Sequence, residues 1–332
     1  MKEAIKIKKW QLVRYSSSKQ TVDLTDGGFL SVGQRAFWRR GRLEELLLPL
    51  GVSAIKTEAF RSCKRLKRIV LPNDCNVGIA SRAFAGCARL SEIGHFDSVT
   101  SIGKGAFAGC YKLLDFSFGE DLKAIGEAAF RGCTSIEAVS LPQSVRSIGK
   151  GAFRDCTELV SAQMDAPVLS SECFRGCISL QEIALSPLIS EIPSGCFFDC
   201  SALEDMVIPS TVKSIRSGAF AGCSRLLEVE MELGVSNIGA FAFAKDDALA
   251  RVILPHSVKR LGFGAFGLGR SKGEKTKIVV DNEYMLKRIK RQLFLCGSAG
   301  RACVVFDGKT VDERKRERRR STIEQEPAHL ID

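Results

Sequence analysis

Residues 130–153 read Phe130-Arg-Gly-Cys133-Thr-Ser-Ile136-Glu-Ala-Val139-Ser-Leu141-Pro142-Gln-Ser-Val145-Arg-Ser-Ile148-Gly149-Lys-Gly151-Ala-Phe153. The opening Phe-x-Gly-Cys is a tight turn or short helical segment. Val139 and Leu141 alternate with Ala138 and Ser140, the period of a short strand with one face buried. Pro142 ends that strand, because proline has no N–H to continue a ladder. Val145 and Ile148 return along the opposite side, and Gly149 and Gly151 allow the corner before the next Phe. One such coil has no core of its own. Its apolar side chains are removed from water only if further coils stack above and below.

The rest of the chain supplies those coils. A Phe recurs at Phe37, Phe60, Phe84, Phe107, Phe130, Phe153, Phe174, Phe197, Phe220, Phe243 and Phe266, at intervals of 23 or 24 residues with a single 21. Ala or Cys always precedes it, and an aliphatic residue stands five places before it, from Val32 to Leu261. Leu or Ile stands six places after it in the first ten units, from Leu43 to Leu249. Four columns held in register over this length predict a leucine-rich-repeat solenoid of about eleven 23-residue rungs. A parallel β-sheet forms one face, and short turns, strands or helical segments form the other. Strands about 4.8 Å apart make that sheet on the order of 50 Å long. The short unit ending at Phe174 is expected to be a local irregularity.

The pattern L-x-x-I-x-L-P…V-x-x-I-G-x-x-A-F-x-G-C, nearly unaltered at Ile136–Cys156 and Leu203–Cys223, resembles the BspA-like branch of leucine-rich repeats. The likeness covers about residues 29–270. It implies a module of adhesion or recognition, of the kind found on many bacterial and protozoan cell surfaces.

The ends depart from the repeat, and four segments are expected. Residues 1–28 read as an N-terminal cap, a β-hairpin containing Ile5, Ile7, Trp10, Leu12, Val22 and Leu24. Residues 29–270 are the solenoid. Residues 271–311 read as a strand-helix cap. In it a strand at Lys277–Val280 precedes a helix to about Leu295, capped by Asp281 or Asn282. The apolar face of that helix would be Tyr284, Leu286, Ile289 and Leu293, and Cys303–Phe306 would add a strand. Residues 312–332 read as a basic disordered tail.

Of the net charge of +11, residues 1–20 carry +5 and residues 271–332 another +5. The body is therefore near neutral, and the overall charge does not by itself indicate a nucleic-acid-binding surface. The longest apolar runs are a few residues, far from the roughly 18 that would span a bilayer. The N-terminus has charge but no apolar core of the secretory kind. A cytoplasmic monomer is the expectation, with export to the cell surface or medium by an unconventional route as the alternative.

Thirteen cysteines raise the question of disulfides or metal. Eight of them, Cys63, Cys87, Cys110, Cys133, Cys156, Cys177, Cys200 and Cys223, stand three places after the repeat Phe, which marks a packing column. Cys173, Cys177, Cys196 and Cys200 form two C-x-x-x-C pairs in consecutive units, a set of thiolates suited to zinc. However, Cys173 and Cys196 simply replace the Ala found in that column in the nine other units. Packing is the expected role, with no metal and no cofactor. Only His95, His256 and His329 are available for acid–base work. His95 falls at an inward strand position, and no acid–base pair converges, so no enzyme is expected.

The strand face remains. Eight places after Phe the sequence runs Glu45, Arg68, Glu92, Asp115, Ala138, Ser161, Glu182, Asp205, Glu228 and Arg251. Ten places after, it runs Leu47, Val70, Gly94, Ser117, Ser140, Gln163, Ala184, Val207, Glu230 and Ile253. Both columns are expected to face outward, and solenoids use such extended surfaces for macromolecules. The expected function is non-catalytic protein binding, as an interaction or adhesion module. The candidate contacts are Arg68, Val70, Glu92, Asp115, Glu182, Asp205, Val207, Glu228, Arg251 and Ile253. The alternative is an anionic-surface binder whose basic ends, the N-terminus and the run Glu313–Arg320, engage nucleic acid or acidic membrane.

Overall fold

A computed structural model describes residues 5–9, 11–15, 18–73, 75–114, 116–267, 276–280, 283–295 and 302–306. The expected cap residues Asp281 and Asn282, and the basic tail from 312 onward, lie outside the described residues.

Each turn of the chain has three sides. The first is a strand eight to ten or eleven places after Phe, as at Ala138–Leu141 and Ser161–Met164. The second is a two-residue strand ending five places before Phe, as at Ser147–Ile148. The third is a turn ridge that contains the Phe. Both sets of strands pair in parallel with the equivalent strand one repeat on: Val139 opposite Ala162, Ile215 opposite Ile238. The architecture is a parallel β-solenoid.

The ridge explains the spacing of the small residues. Two places before Phe the backbone is left-handed in every repeat, whether the residue is Gly151, Gly195 or Gly218, or instead Arg35, Glu58 or Phe241. Two places after, it is left-handed again in the first ten repeats, from Arg39 to Lys245. Left-handed residues separated by right-handed ones aim alternate N–H groups the same way. Those of Gly105, Phe107 and Gly109 donate to the carbonyls of Glu127, Ala129 and Arg131 in the following turn, at 2.8–2.9 Å. Intervening N–H groups close the turn locally, as Cys110 does on Phe107 O. Glycine meets the left-handed requirement at least cost, while the inter-turn hydrogen bonds sustain it elsewhere.

Inside the ridge the Phe rings form one stack. From Phe37 to Phe266 consecutive centroids lie 4.8–5.8 Å apart, with planes within 20° of parallel. Each ring is essentially without solvent exposure. Burying a Phe contributes roughly 1.5–3 kcal/mol before entropy, so stability is spread along the array.

The array has about twelve turns, one more than the Phe count. Strands Ile5–Lys8 and Gln11–Tyr15 form an antiparallel hairpin. The second of these also pairs in parallel with Ser31–Val32, placing Leu12 opposite Val32. Tyr15 then stacks on Phe37 at 5.0 Å, in the place of a repeat Phe. Val22 and Leu24 belong to the far side of this added turn, since Thr21–Asp23 pairs with Glu45–Leu47. At the other end, Thr276–Val280 and Ala302–Phe306 extend the strand face, with helix Glu283–Leu295 between them. Its buried stripe is Met285, Ile289 and Leu293, with Leu286 half-buried. Tyr284 is exposed, because the i, i+4, i+8 line that meets the array starts one residue later.

The 21-residue unit is irregular. No strand forms at Val168-Leu169-Ser170, and the two-residue strands divide there into one sheet ending at Ser147–Ile148 and another beginning at Glu191–Ile192.

Candidate functional site

Alternation along the strands sorts side chains between core and solvent. In Asp205–Ile208 the residues Met206 and Ile208 are buried while Asp205 and Val207 are exposed. The same holds for Ala138–Leu141. The outward face is not continuous, however. Its strands fall into three sheets, comprising Thr21–Asp23 to Glu92–Gly94, Ala138–Leu141 to Glu182–Leu185, and Asp205–Ile208 to Ala302–Phe306.

The first break lies in the turn after Phe107, where Phe116-Ser117-Phe118 forms no strand. Phe116 and Phe118 join Phe96 and Phe130 in an aromatic cluster with centroids 5.1–5.8 Å apart, in which Phe116 stacks on Phe130, Phe118 is tilted against Phe96, and the other contacts are edge-to-face. Beside it opens a cleft of about 810 Å³, lined by Phe116, Phe118, Ser140, Gln163 and Ala184 among others. The second break separates Glu182–Leu185 from Asp205–Ile208 and leaves a cleft of about 600 Å³. Its walls carry Glu182 and Ala184 on one side, and Glu204, Asp205 and Val207 on the other.

The sequence candidates do not form one site. Arg68 bridges Glu45 and Glu92 at 2.7 Å each, an ion-pair ladder across three strands, with Val70 half-buried beside Gly94. Glu182, Asp205 and Val207 meet at the second cleft, and Val207 is 46 % exposed. Glu228 lies in register with Arg251, 3.5 Å away. Among the described residues neither Glu182 nor Asp205 has an ion-pair partner, so the cleft between them carries uncompensated negative charge. Asp115 lies outside the described residues. Ile253 does not face solvent: it is 3 % exposed, as buried as Glu230 and Val279 opposite it in register. His95 is also not inward. It takes a left-handed conformation at the start of a 3-10 turn, which sends Phe96 into the core in its place.

Sequence reasoning missed Phe116 and Phe118 as features of the face. The available signal was a pair of aromatics where other repeats have aliphatics, in Phe116-Ser-Phe118-Gly119. It also missed a shallow groove of about 470 Å³ on the ridge. Gly195, Gly218, Ala221 and Ala240 line it together with Phe198 and Phe241.

The cysteine column has a polar role besides packing. Each of its eight thiols donates to the carbonyl of the Phe one turn earlier, from Cys63 on Phe37 to Cys223 on Phe197, at 2.9–3.3 Å. Burial raises the pKa of the column thiols from Cys87 to Cys223, to about 12 for Cys110, and likewise to about 12 for Cys173 beside the column, which holds them protonated. Among the described residues no group of three or more His, Cys, Asp or Glu is placed to hold a metal ion. In the Phe243 repeat the column residue is Asp246, which accepts the Cys223 N–H at 2.9 Å. Its other carboxylate oxygen is buried without a hydrogen bond. Burial pushes its pKa up to about 9. No helix among the described residues is long and apolar enough to cross a membrane.

Stacked parallel turns, a Phe core and an outward strand face define a leucine-rich-repeat solenoid. The chain belongs to the BspA type leucine rich repeat family, which matches residues 13–94, 77–170 and 166–269. No curated protein matches it. Among solved structures, the leucine rich repeat protein of T. pallidum is similar at 31 % identity, covering 58 % of this chain and 82 % of that one, with a TM-score of 0.43. The pneumococcal vaccine antigen PcpA shares 16 % identity over 91 % of this chain and 84 % of its own, with a TM-score of 0.53. A leucine rich cell surface protein from Faecalibacterium prausnitzii shares 18 % over 92 % of each chain, with a TM-score of 0.39.

Proposed function

We propose that the chain is a non-catalytic binding module, an interaction or adhesion protein that engages a protein partner through its outward strand face. The observation that carries this reading is the cleft between Glu182–Leu185 and Asp205–Ile208. There Glu182 and Asp205, without ion-pair partners among the described residues, flank the exposed Ala184 and Val207. Carboxylates around an apolar floor suit a partner that presents basic side chains beside aliphatic ones. Family membership supports the same reading, since stacked repeats supply an extended rigid surface.

The test is capture of a partner by wild-type protein and by Glu182→Lys/Asp205→Lys. Both positions are exposed, so stability should change by only about 0.5 kcal/mol, and binding should be lost. Retained binding would remove this cleft from the site. Binding that survives the reversal but collapses with salt and with loss of the basic ends would instead favour a polyanion ligand.

A further inference from the structure

In the first and third sheets of the strand face, outward positions hold long or branched side chains such as Glu45, Leu47, Arg68, Asp205 and Val207. In the middle sheet they are mostly short. Ala138, Ser161 and Glu182 stand in one row in direct register, and Ser140, Gln163 and Ala184 in the next. The floor there lies below the level of the flanking sheets, and Phe116 and Phe118 wall it at one end. The resulting cleft of about 810 Å³ has the size of a small-ligand site.

Its lining defines the chemistry of an occupant. Ser117, Ser140, Ser161 and Gln163 can each donate and accept hydrogen bonds, and the three hydroxyls make none among the described residues. Glu120, Asp165 and Glu182 add carboxylates, which accept from hydroxyl groups in strong, charge-assisted bonds. Among the described residues no Lys, Arg or His lines the cleft, so phosphate, sulfate and carboxylate ligands are repelled. Phe116 is fixed by stacking on Phe130 at 5.4 Å, and both Phe116 and Phe118 are only half-buried. Their ring faces carry partial negative charge and attract polarised C–H groups. A peptide cannot enter by adding a strand to this sheet. Beside Ala138–Leu141 the turns are one ring spacing apart, 5.2 Å between Phe107 and Phe130, and Phe116–Phe118 already fills that space. Beyond Glu182–Leu185 the spacing is 5.8 Å, and Asp205–Ile208 fills it. Recognition in the cleft therefore falls to side chains.

We propose that this cleft binds an oligosaccharide without acidic groups, with one pyranose ring against Phe116 and Phe118 and hydroxyls on Ser140, Gln163 and Glu182. Sugar hydroxyls donate and accept at once, as the lining does, and the C–H face of a pyranose suits the aromatic wall. The two rows repeat at every turn, so successive units of a linear glycan meet equivalent positions. Three turn spacings separate Phe116–Phe118 from Glu182–Leu185, roughly 15 Å, which accommodates a trisaccharide. The site is distinct from the cleft between Glu182 and Asp205 and does not require a protein there.

The test is an array of neutral hexamers of glucose, mannose, galactose and N-acetylglucosamine, with their sulfated counterparts, probed with the full-length chain. At least one neutral hexamer should bind, and its sulfated form should bind at least tenfold more weakly. Gln163→Ala and Phe118→Leu should each weaken binding at least fivefold, and Ser140→Arg, which fills the floor, should abolish it. Ser140 and Gln163 are exposed, so these two variants keep the fold even if Phe118→Leu does not. Glycan binding that persists in Asp205→Lys while protein capture is lost would establish two separate sites. Failure of every neutral hexamer to bind would overturn the proposal, as would preference for the sulfated forms or binding unchanged by Ser140→Arg. If Ser140→Arg abolishes protein capture and no glycan binds, the cleft belongs to the protein site and the saccharide site falls alone.

Discussion

The turn ridge and the strand face are made by the same repeat, yet only one of them is regular. Along the ridge the left-handed positions and the inter-turn N–H donations run from Arg35 to Phe243 without interruption, and the Phe stack continues to Phe266. Along the strand face, over nearly the same residues, the sheet breaks twice and two clefts open. The ridge commits both backbone and side chain in every turn, so one unfitting residue disturbs two neighbours. The face requires only that alternate residues point inward and be apolar, and the outward ones are free to vary. Stability and recognition are thereby assigned to different sides of one coil.

Substitutions on the two sides should separate accordingly. Phe153→Ala removes a ring stacked between Phe130 and Phe174 and should cost roughly 3–5 kcal/mol in denaturant melts. A loss under about 1 kcal/mol would mean that the ridge does not carry the fold.

Asp246→Asn probes a flaw in the ridge. Because the folded-state pKa is raised, the stability tied to the protonated carboxyl is fully present below about pH 4 and is lost as pH rises through about 9. The Asn variant should flatten this fall and be the more stable protein by about 1–3 kcal/mol above pH 9, with little difference at pH 4. Parallel pH–stability curves for the two proteins would show that Asp246 is not buried as a neutral acid.

Cys133→Ala deletes one thiol and its hydrogen bond to Phe107 O, which should cost about 1–2 kcal/mol. The remaining column thiols should react with a thiol reagent only after unfolding, and rapid labelling of the native protein would contradict their packing. On the strand face, Arg68→Ala breaks two exposed ion pairs and should cost no more than about 1 kcal/mol, a difference that shrinks in high salt. A larger, salt-independent loss would mean that the face shares the structural role of the ridge.

The contrast also accounts for what the sequence revealed. Phe spacing, the cysteine column and the irregular 21-residue unit were readable because the ridge repeats its chemistry in every turn. The added first turn was hidden because Tyr15 stands 22 residues before Phe37 and only three after Leu12, where other repeats take five. His95 defeated the inward assignment because a left-handed backbone shifts the alternation by one, which no side-chain pattern announces. Asp246 could be counted into the cysteine column, but its raised pKa follows from packing around it. Ile253 looked like its exposed column-mates, and its burial, shared with Glu230 and Val279 in register, is not written in its own strand.

The unbroken Phe stack makes the molecule a ruler. Each repeat advances the stack by one ring spacing of about 5 Å, whatever lies on the outer strand. Removing residues 131–153 would bring Phe130 against Phe174 with all columns still in phase, leaving a working array one notch shorter. Copy number sets how far apart two points on a partner can be gripped, and deletion or duplication of whole units can adjust that span without redesigning any contact.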